Sequence, residues 1–159
     1  METDVAYAMM HATRPATISI VLSSSPIALL AWMGEKFFTW SDAATRLETE
    51  TILAFVSLYW VTRSFARGIY PYRGDFDTDP ELPKHGGEKW MVPEGMPFGF
   101  SEFPCEIQPV PRAWVERTGR VTCRRSHDRG GHFAALECPG DMLTDLEDFV
   151  AHFREMGRI

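Results

Sequence analysis

A pair of glycines followed by a histidine, within the stretch 128–137 (DRGGHFAALE), constrains the backbone more than any other part of the sequence. Adjacent glycines permit a sharp turn with a positive φ and let a second backbone segment approach closely. They would present the imidazole of His132 at the end of a preceding strand. Because histidine titrates near neutral pH, one held by backbone geometry is a candidate general base. From these ten residues alone, a glycine loop with an incidental surface histidine is an equally good interpretation.

The composition places this stretch in one ordinary domain. The chain has 159 residues, 45% of them hydrophobic, which is enough to bury a core. A net charge of -6 argues against nucleic acid as a partner, because phosphate binding requires clustered Lys and Arg. The three cysteines are an odd number without the spacing of metal ligands: Cys105, Cys123 and Cys138. We therefore expect neither a disulfide framework nor a zinc site. No other metal site and no cofactor is expected.

Neither a leader nor a membrane span is indicated. The N-terminus lacks a basic segment followed by an apolar one, and the longest apolar runs, 27–33 and 52–60, are far shorter than the roughly 20 residues that a span needs. We expect a soluble chain that is not inserted in a membrane and that lies in a reducing compartment, the cytoplasm.

Helical patterns dominate the first half of the chain. Residues 5–10 indicate the end of a helix, which Arg14-Pro15 should stop. Ser25 is a candidate N-cap, with Pro26 at the first helical position of the next helix. Its expected buried face consists of Ile27, Leu30, Met33, Phe37 and Trp40. At its end, Asp42 could cap a further helix, expected over 48–67, with Ile52, Phe55, Val56, Tyr59 and Trp60 at helical intervals.

The second half predicts strands. A turn is expected at 70–74 and a surface loop over 75–87. One strand is expected at either 89–92 or 96–101, and another at 119–125. Asp141 should cap a last helix with one apolar stripe, formed by Leu143, Leu146, Phe149, Val150 and Phe153. The order of helices and strands indicates an α/β protein. Because two strands alone make a poor sheet, we expect the chain to be part of a larger domain.

An ordered series of short motifs resembles the C-terminal portion of the microsomal-type epoxide hydrolases, of a fungal kind, in the α/β-hydrolase superfamily. The resemblance runs over nearly the whole chain. Its motifs are Tyr7 with 11–15 (HATRP), 25–32 (SPIALLAW) with Glu35-Lys36, 58–60 (LYW), 70–73 (YPYR), 99–101 (GFS), 103–106 (FPCE) and 130–137 (GGHFAALE).

This resemblance implies a partial α/β-hydrolase fold. Residues 1–70 would form the end of the helical cap and the return helices, 71–88 a loop, and 89–159 the C-terminal part of the core with its last two strands. The implied partners are a small apolar epoxide and water. A homo-oligomer is a further alternative.

The resemblance also implies a reaction in which an aspartate opens the epoxide to form an ester, which an activated water then hydrolyses. His132 matches the water-activating base, and Glu106 matches the acid that orients the imidazole. Tyr72 and Tyr7 match the two tyrosines that donate to the epoxide oxygen. Tyr70 competes with Tyr72, which we prefer because it directly precedes Arg73.

Several residues stay without an assigned function. No role is expected for the histidines in loops or on polar helix faces: His11, His85, His127 and His152. Trp32, Phe37 and Trp60 could line an apolar tunnel, but their helical periodicity favours packing.

The sequence departs from the family pattern because the aspartate nucleophile on its strand-turn-helix elbow and the oxyanion turn do not occur in it. We therefore expect a truncated product that is inactive by itself. The alternative is a non-catalytic remnant that acts as a binding or interaction module. A cysteine hydrolase that uses Cys105 beside Glu106 is disfavoured, because neighbours in an extended segment point to opposite sides.

Overall fold

A computed structural model describes residues 5–76 and 91–155 of the chain. These residues form two compact units. Unit 1 contains residues 5–35 and 48–76, and unit 2 contains residues 36–47 and 91–155. Residues 36–47 therefore pack with the later part of the chain. The predicted domain division places them with the rest of 1–70.

Unit 1 is helical. Its elements are α1 (Ala6–Thr13), α2 (Pro15–Ser23), the first part of α3 (Pro26–Trp40), α4 (Thr49–Thr62), α5 (Phe65–Ile69) and α6 (Tyr72–Phe76). Its buried hydrophobic residues are Ala8, Ala12, Ile18, Leu22, Leu29, Ile52, Val56 and Ile69. The short helices α5 and α6 pack against α2 and α1, respectively.

Prolines and one serine set the first helix boundaries. Arg14 leaves the helical region (φ -138°, ψ 46°) before Pro15, so α1 stops there as predicted. Pro15 then begins α2, a helix that was not predicted, although Ile18 and Leu22 are buried four residues apart. The Oγ of Ser25 accepts a hydrogen bond from the amide of Ala28 at 3.2 Å, which confirms the predicted N-cap of α3.

Three predictions in this half were wrong in detail. Ile27 is 76% exposed, whereas Leu29 is 2% exposed and takes its place in the buried face of α3. The helix expected over 48–67 is broken at Arg63, which has a φ of 52°, so α4 and α5 are separate. The turn expected at 70–74 contains the start of α6.

Unit 2 contains a βαβ arrangement. β1 (Gly99–Glu102) and β2 (Cys123–Ser126) are parallel, and α7 (Arg112–Thr118) lies between them in the chain. The register pairs Gly99 with Cys123 and Glu102 with Ser126. α8 (Ala134–Glu137) and α9 (Pro139–Glu155) follow β2. This order confirms the α/β class and the expectation of a strand at 96–101, although both strands begin about three residues later than predicted.

The last helix differs from its predicted form. It begins at Pro139, so Asp141 lies inside the first turn and is not the cap. Phe153 is buried, at 1% exposed, whereas Phe149 and Val150 are half-buried and Leu143 and Leu146 are more than half exposed, so burial increases along the expected stripe. Most of the loop predicted over 75–87, and residues 89–90 of the alternative strand, lie outside the described residues.

Within the described ranges, no single helix is both long enough and apolar enough to cross a membrane. Only α2 and α3 taken together meet that criterion, across a bend of 116°.

Candidate active site

The end of the sheet in unit 2 brings His132 and Glu106 together. Beyond β1 and β2, an isolated parallel bridge pairs Cys105 with Gly131, and the amide of Cys105 donates to the carbonyl of Gly130 at 3.0 Å. Glu106 directly follows Cys105 in the chain, and His132 directly follows Gly131. Their side chains meet through His132 Nδ1 and Glu106 Oε1, which are 2.8 Å apart. Each side chain is about one third exposed, so water can reach the pair.

Both glycines before His132 are needed for this geometry, as the sequence predicts. Gly130 has a φ of 98°, a conformation that side chains disfavour. A Cβ on Gly131 would lie 2.7 Å from the carbonyl oxygen of Trp40 and 2.9 Å from the amide nitrogen of Asp42. The first glycine therefore makes the turn, and the second lets the 40–42 backbone pass against it.

Two carboxylates join the His132 loop to the 40–45 segment; we call Asp42 and Glu137 the carboxylate clamp. Asp42 Oδ2 accepts from the amide of Gly130 at 2.9 Å. Glu137 Oε2 accepts from the amide of Asp42 at 2.7 Å and from the hydroxyl of Thr45 at 3.0 Å, and Oε1 accepts from the amide of Phe133 at 3.0 Å. The predicted capping role of Asp42 was wrong, because Glu48 occupies the N-cap of α4.

Trp40 supports the histidine itself. The amide of His132 donates to the carbonyl of Trp40 at 2.9 Å, and the two rings meet edge-on with centroids 5.2 Å apart. Glu106 is held by its own loop, since Oε1 also accepts from the amide of Ile107 at 2.7 Å. Backbone bonds therefore fix both partners of the pair.

Cys105 has a different environment from Glu106. Its thiol contacts the carboxylate of Asp42, and partial desolvation together with that negative charge raises its pKa, although the residue as a whole is exposed. Hydrogen bonds from the amides of Ala44 and Gly130, with a smaller contribution from the Cys105 thiol, lower the pKa of Asp42. A thiol kept protonated is a poor nucleophile, which argues further against a cysteine hydrolase.

Unit 1 brings together the two predicted tyrosines. Tyr7 on α1 and Tyr72 on α6 have ring centroids 6.0 Å apart at 77°, and their side chains are hydrogen-bonded. Burial, and to a smaller extent this hydrogen bond, raises the pKa of Tyr7 to about 12. Tyr70, the competitor of Tyr72, is 47% exposed.

His11, for which we expected a polar surface, is 4% exposed. Four aromatic rings surround it, those of Tyr7, Trp32, Phe65 and Tyr72. Nothing in the sequence indicated this burial, because His11 lies close to a predicted helix end, where a polar residue is usually exposed.

Two of the aromatic residues considered for a tunnel have packing contacts. Trp32 packs against His11 in unit 1, and Phe37 packs against Phe133 in unit 2 with ring centroids 4.7 Å apart.

His127 is a second histidine whose contacts the sequence did not predict. Its Nε2 lies 2.8 Å from Oδ2 of Asp145 on α9, and its ring stacks on Phe103 at 4.5 Å. Burial would raise the pKa of Asp145, but bonds with Ser101 and His127 outweigh it and lower the pKa. Because Ser101 also donates to this carboxylate, at 2.5 Å, the cluster joins α9 to the sheet. His152 is exposed on α9, and His85 lies outside the described residues.

A cleft of unit 2 lies away from the pair formed by His132 and Glu106. It has a volume of about 830 Å³, lies between the strands and α9, and is lined by residues such as Phe100, Asp145 and Phe149, not by His132 or Glu106. Across residues 5–76 and 91–155, no three His, Cys, Asp or Glu side chains are grouped to hold a metal ion.

The comparisons with known proteins identify relatives of the chain, although no family model matches it. A Dothistroma septosporum protein named as an epoxide hydrolase is 42% identical over 149 residues, 94% of this chain and 34% of that protein. Epoxide hydrolase 1 of Oryctolagus cuniculus is 33% identical over 91% of this chain and 33% of its own length. The structure of Aspergillus niger epoxide hydrolase is 50% identical, with a TM-score of 0.75, over 93% of this chain and 36% of that chain.

The chain thus spans about a third of the length of the relatives it matches. These matches confirm the resemblance to the C-terminal portion of the epoxide hydrolases, and they confirm that the chain has part of the α/β-hydrolase fold.

Proposed function

We propose that this homologue of the C-terminal portion of the epoxide hydrolases supplies the base, the orienting acid and the two proton donors of an epoxide hydrolase. The observation that carries the proposal is the 2.8 Å contact between His132 and Glu106, at a turn that the backbone holds. Its substrates are a small apolar epoxide and water, and its product is a vicinal diol.

In the second step, His132 activates the water. With the proton on Nδ1 donated to Glu106, the lone pair of Nε2 can take a proton from water as its oxygen attacks the ester carbonyl. The carboxylate of Glu106 then stabilises the imidazolium. The ester C–O bond breaks, the departing alkoxide takes the proton of the imidazolium, and the diol leaves. The regenerated carboxylic acid returns its proton to the phenolate that the first step produced, so both the imidazole and the phenol are restored.

In the first step, Tyr7 and Tyr72 act as acids. A carboxylate attacks a ring carbon, the C–O bond of the epoxide breaks, and its oxygen takes a proton from a phenol. Tyr7, whose pKa is raised to about 12, is protonated at any physiological pH and so carries the proton that it is proposed to donate. Tyr72 is assigned in preference to Tyr70 because it is the one that contacts Tyr7.

The attacking carboxylate is assigned to an aspartate that the 159 residues do not include. Asp42 is engaged by the amides of Gly130 and Ala44, at a loop with no elbow. We therefore expect the chain to require an upstream portion for turnover.

A chimera tests the proposal. The upstream two thirds of the Aspergillus niger epoxide hydrolase, joined to this chain, should hydrolyse styrene oxide, whereas the 159-residue chain alone should not. His132→Ala should lower the turnover of the chimera by about 10²–10⁴-fold, the usual contribution of a general base. His152→Ala, at an exposed histidine of α9, is the control and should leave turnover unchanged.

Two results would overturn the proposal. One is a folded chimera that binds but does not hydrolyse epoxides, which would favour a binding module. The other is turnover that survives His132→Ala. Turnover by the short chain that is lost in His132→Ala would show instead that the nucleophile lies within the 159 residues.

A further inference from the structure

His11 lies against both tyrosines of unit 1. Its ring centroid is 4.9 Å from that of Tyr72 and 5.5 Å from that of Tyr7, and both contacts are edge-on, at 81° and 84°. Phe65 contacts the same imidazole at 6.0 Å. Because the interior is close-packed, a ring that is 4% exposed and touches both phenols limits the positions they can take.

Trp32 fixes the orientation of the His11 ring. The indole Nε1 donates to Nε2 of His11 at 3.1 Å, and the ring centroids are 5.6 Å apart. An indole nitrogen can only donate, so Nε2 of His11 must be the unprotonated nitrogen and the imidazole is neutral. A neutral ring suits this buried site, whereas a charged one would have to lose its hydration.

We propose that His11 is a positioning residue, held as a neutral ring by Trp32, which sets the mutual geometry of Tyr7 and Tyr72 and thereby their donation to the epoxide oxygen. Their donation to an epoxide oxygen rests on the proposed function. The positioning of the two phenols does not depend on it.

A histidine at position 11 provides both a ring that packs against the two tyrosines and a nitrogen that accepts the hydrogen bond of Trp32. A phenylalanine at position 11 would keep the ring packing but would leave the indole N–H of Trp32 without its acceptor. An asparagine would place its amide near the position of Nδ1, short of Trp32. A glutamine is long enough to place an acceptor near the position of Nε2.

The ionisation of Tyr7 reports this geometry in the whole 159-residue chain, without any turnover. Carbon-13 labelling of the tyrosine Cζ atoms and NMR at about pH 11 measure it, with the signal assigned by Tyr7→Phe. A pKa of about 12 leaves roughly one tenth of Tyr7 ionised at that pH, whereas the ordinary value of about 10 gives roughly nine tenths. Far-UV circular dichroism at the same pH checks that each variant is folded.

We expect Trp32→Phe and His11→Asn to raise the ionised fraction of Tyr7 at least threefold, and His11→Gln to restore most of the wild-type value. Trp60→Phe, which removes a tryptophan from α4, is the control and should change nothing. An unchanged Tyr7 signal in folded Trp32→Phe and His11→Asn would overturn the proposal, as would an equal change in Trp60→Phe.

The chimera separates this inference from the proposed function. If both hold, Trp32→Phe lowers kcat about tenfold and leaves KM within twofold, because the change affects proton donation and not binding. If the unaltered chimera is inactive while the Tyr7 signal responds as expected, the proposed function fails and the positioning stands. If the chimera is active and its kcat is unaffected by Trp32→Phe, the positioning role in catalysis fails.

Discussion

The two candidate pairs are held by opposite physical means. In unit 2, His132 and Glu106 are about one third exposed, and carboxylates bonded to backbone amides hold their loop. In unit 1, Tyr7 and Tyr72 are held by contacts with each other and with the buried ring of His11.

The difference matches the chemistry proposed for each pair. A base that activates water needs access to water and a nearby negative charge to stabilise its protonated form. A phenol that donates a proton must stay neutral, and burial beside a second phenol raises its pKa. The same contrast predicts that the two units respond differently to substitution and to pH.

The largest expected effect is that of a methyl group on the close-packed turn of unit 2. Gly131→Ala should lower the free energy of unfolding by about 3 kcal/mol, near the upper end for overpacking, because the new Cβ meets the backbone of Trp40 and Asp42. Gly140→Ala is the control, since its Cβ has nothing within 4 Å. Urea denaturation measures both, and similar losses would contradict the close approach described for Gly131.

An isosteric change in the carboxylate clamp should have the next largest effect on the free energy of unfolding. Glu137→Gln should cost about 2 kcal/mol, because both oxygens of Glu137 accept hydrogen bonds and an amide must turn its NH₂ towards a backbone donor. Glu147→Gln, at an exposed position of α9, should lie within about 0.5 kcal/mol of the wild type. If Glu137→Gln is equally neutral in urea denaturation, the clamp does not stabilise the loop.

The smallest effect is a difference in pH dependence. The folded pKa of Asp42 is lowered, so its stabilisation is present above the unfolded value of about 3.8 and is lost as pH falls. The folded pKa of Tyr7 is raised, so its stabilisation, about 1 kcal/mol once solvent screening is allowed for, is lost as pH rises from about 10 to 12.

Unfolding free energies of the wild type, Asp42→Asn and Tyr7→Phe between pH 3 and 11.5 check this difference. The gap between the wild type and Asp42→Asn should shrink in acid, and the gap between the wild type and Tyr7→Phe should shrink in alkali. Gaps that do not vary with pH would contradict the contrast between the units.

The sequence predicted the parts of the site that depend on local geometry. The glycine pair predicted the turn before His132, and Ser25 with Pro26 predicted the start of α3. The resemblance paired Glu106 with His132, and the parallel pairing of β1 with β2 brings both residues to the same edge of the sheet. In each case the responsible residues lie within a few positions of one another, or follow from the parallel pairing of two strands.

The parts that the sequence did not predict depend on long-range contacts. Asp42 bonds to Gly130 across 88 positions, and Glu137 reaches Asp42 across 95. His11 and Trp32 are 21 positions apart, and nothing in their neighbours indicates a buried hydrogen bond. Such contacts are set by tertiary packing, which leaves no local period in the sequence.

The division of labour between the two pairs can be tested directly by the intact mass of the chimera during reaction with styrene oxide. We expect His132→Ala to accumulate an adduct of one epoxide per chain, because the ester forms but water is not activated to hydrolyse it. We expect no adduct in the double variant Tyr7→Phe, Tyr72→Phe, in which the ring is not opened. An adduct in the tyrosine variant at the same rate, or none in His132→Ala, would contradict this division of labour.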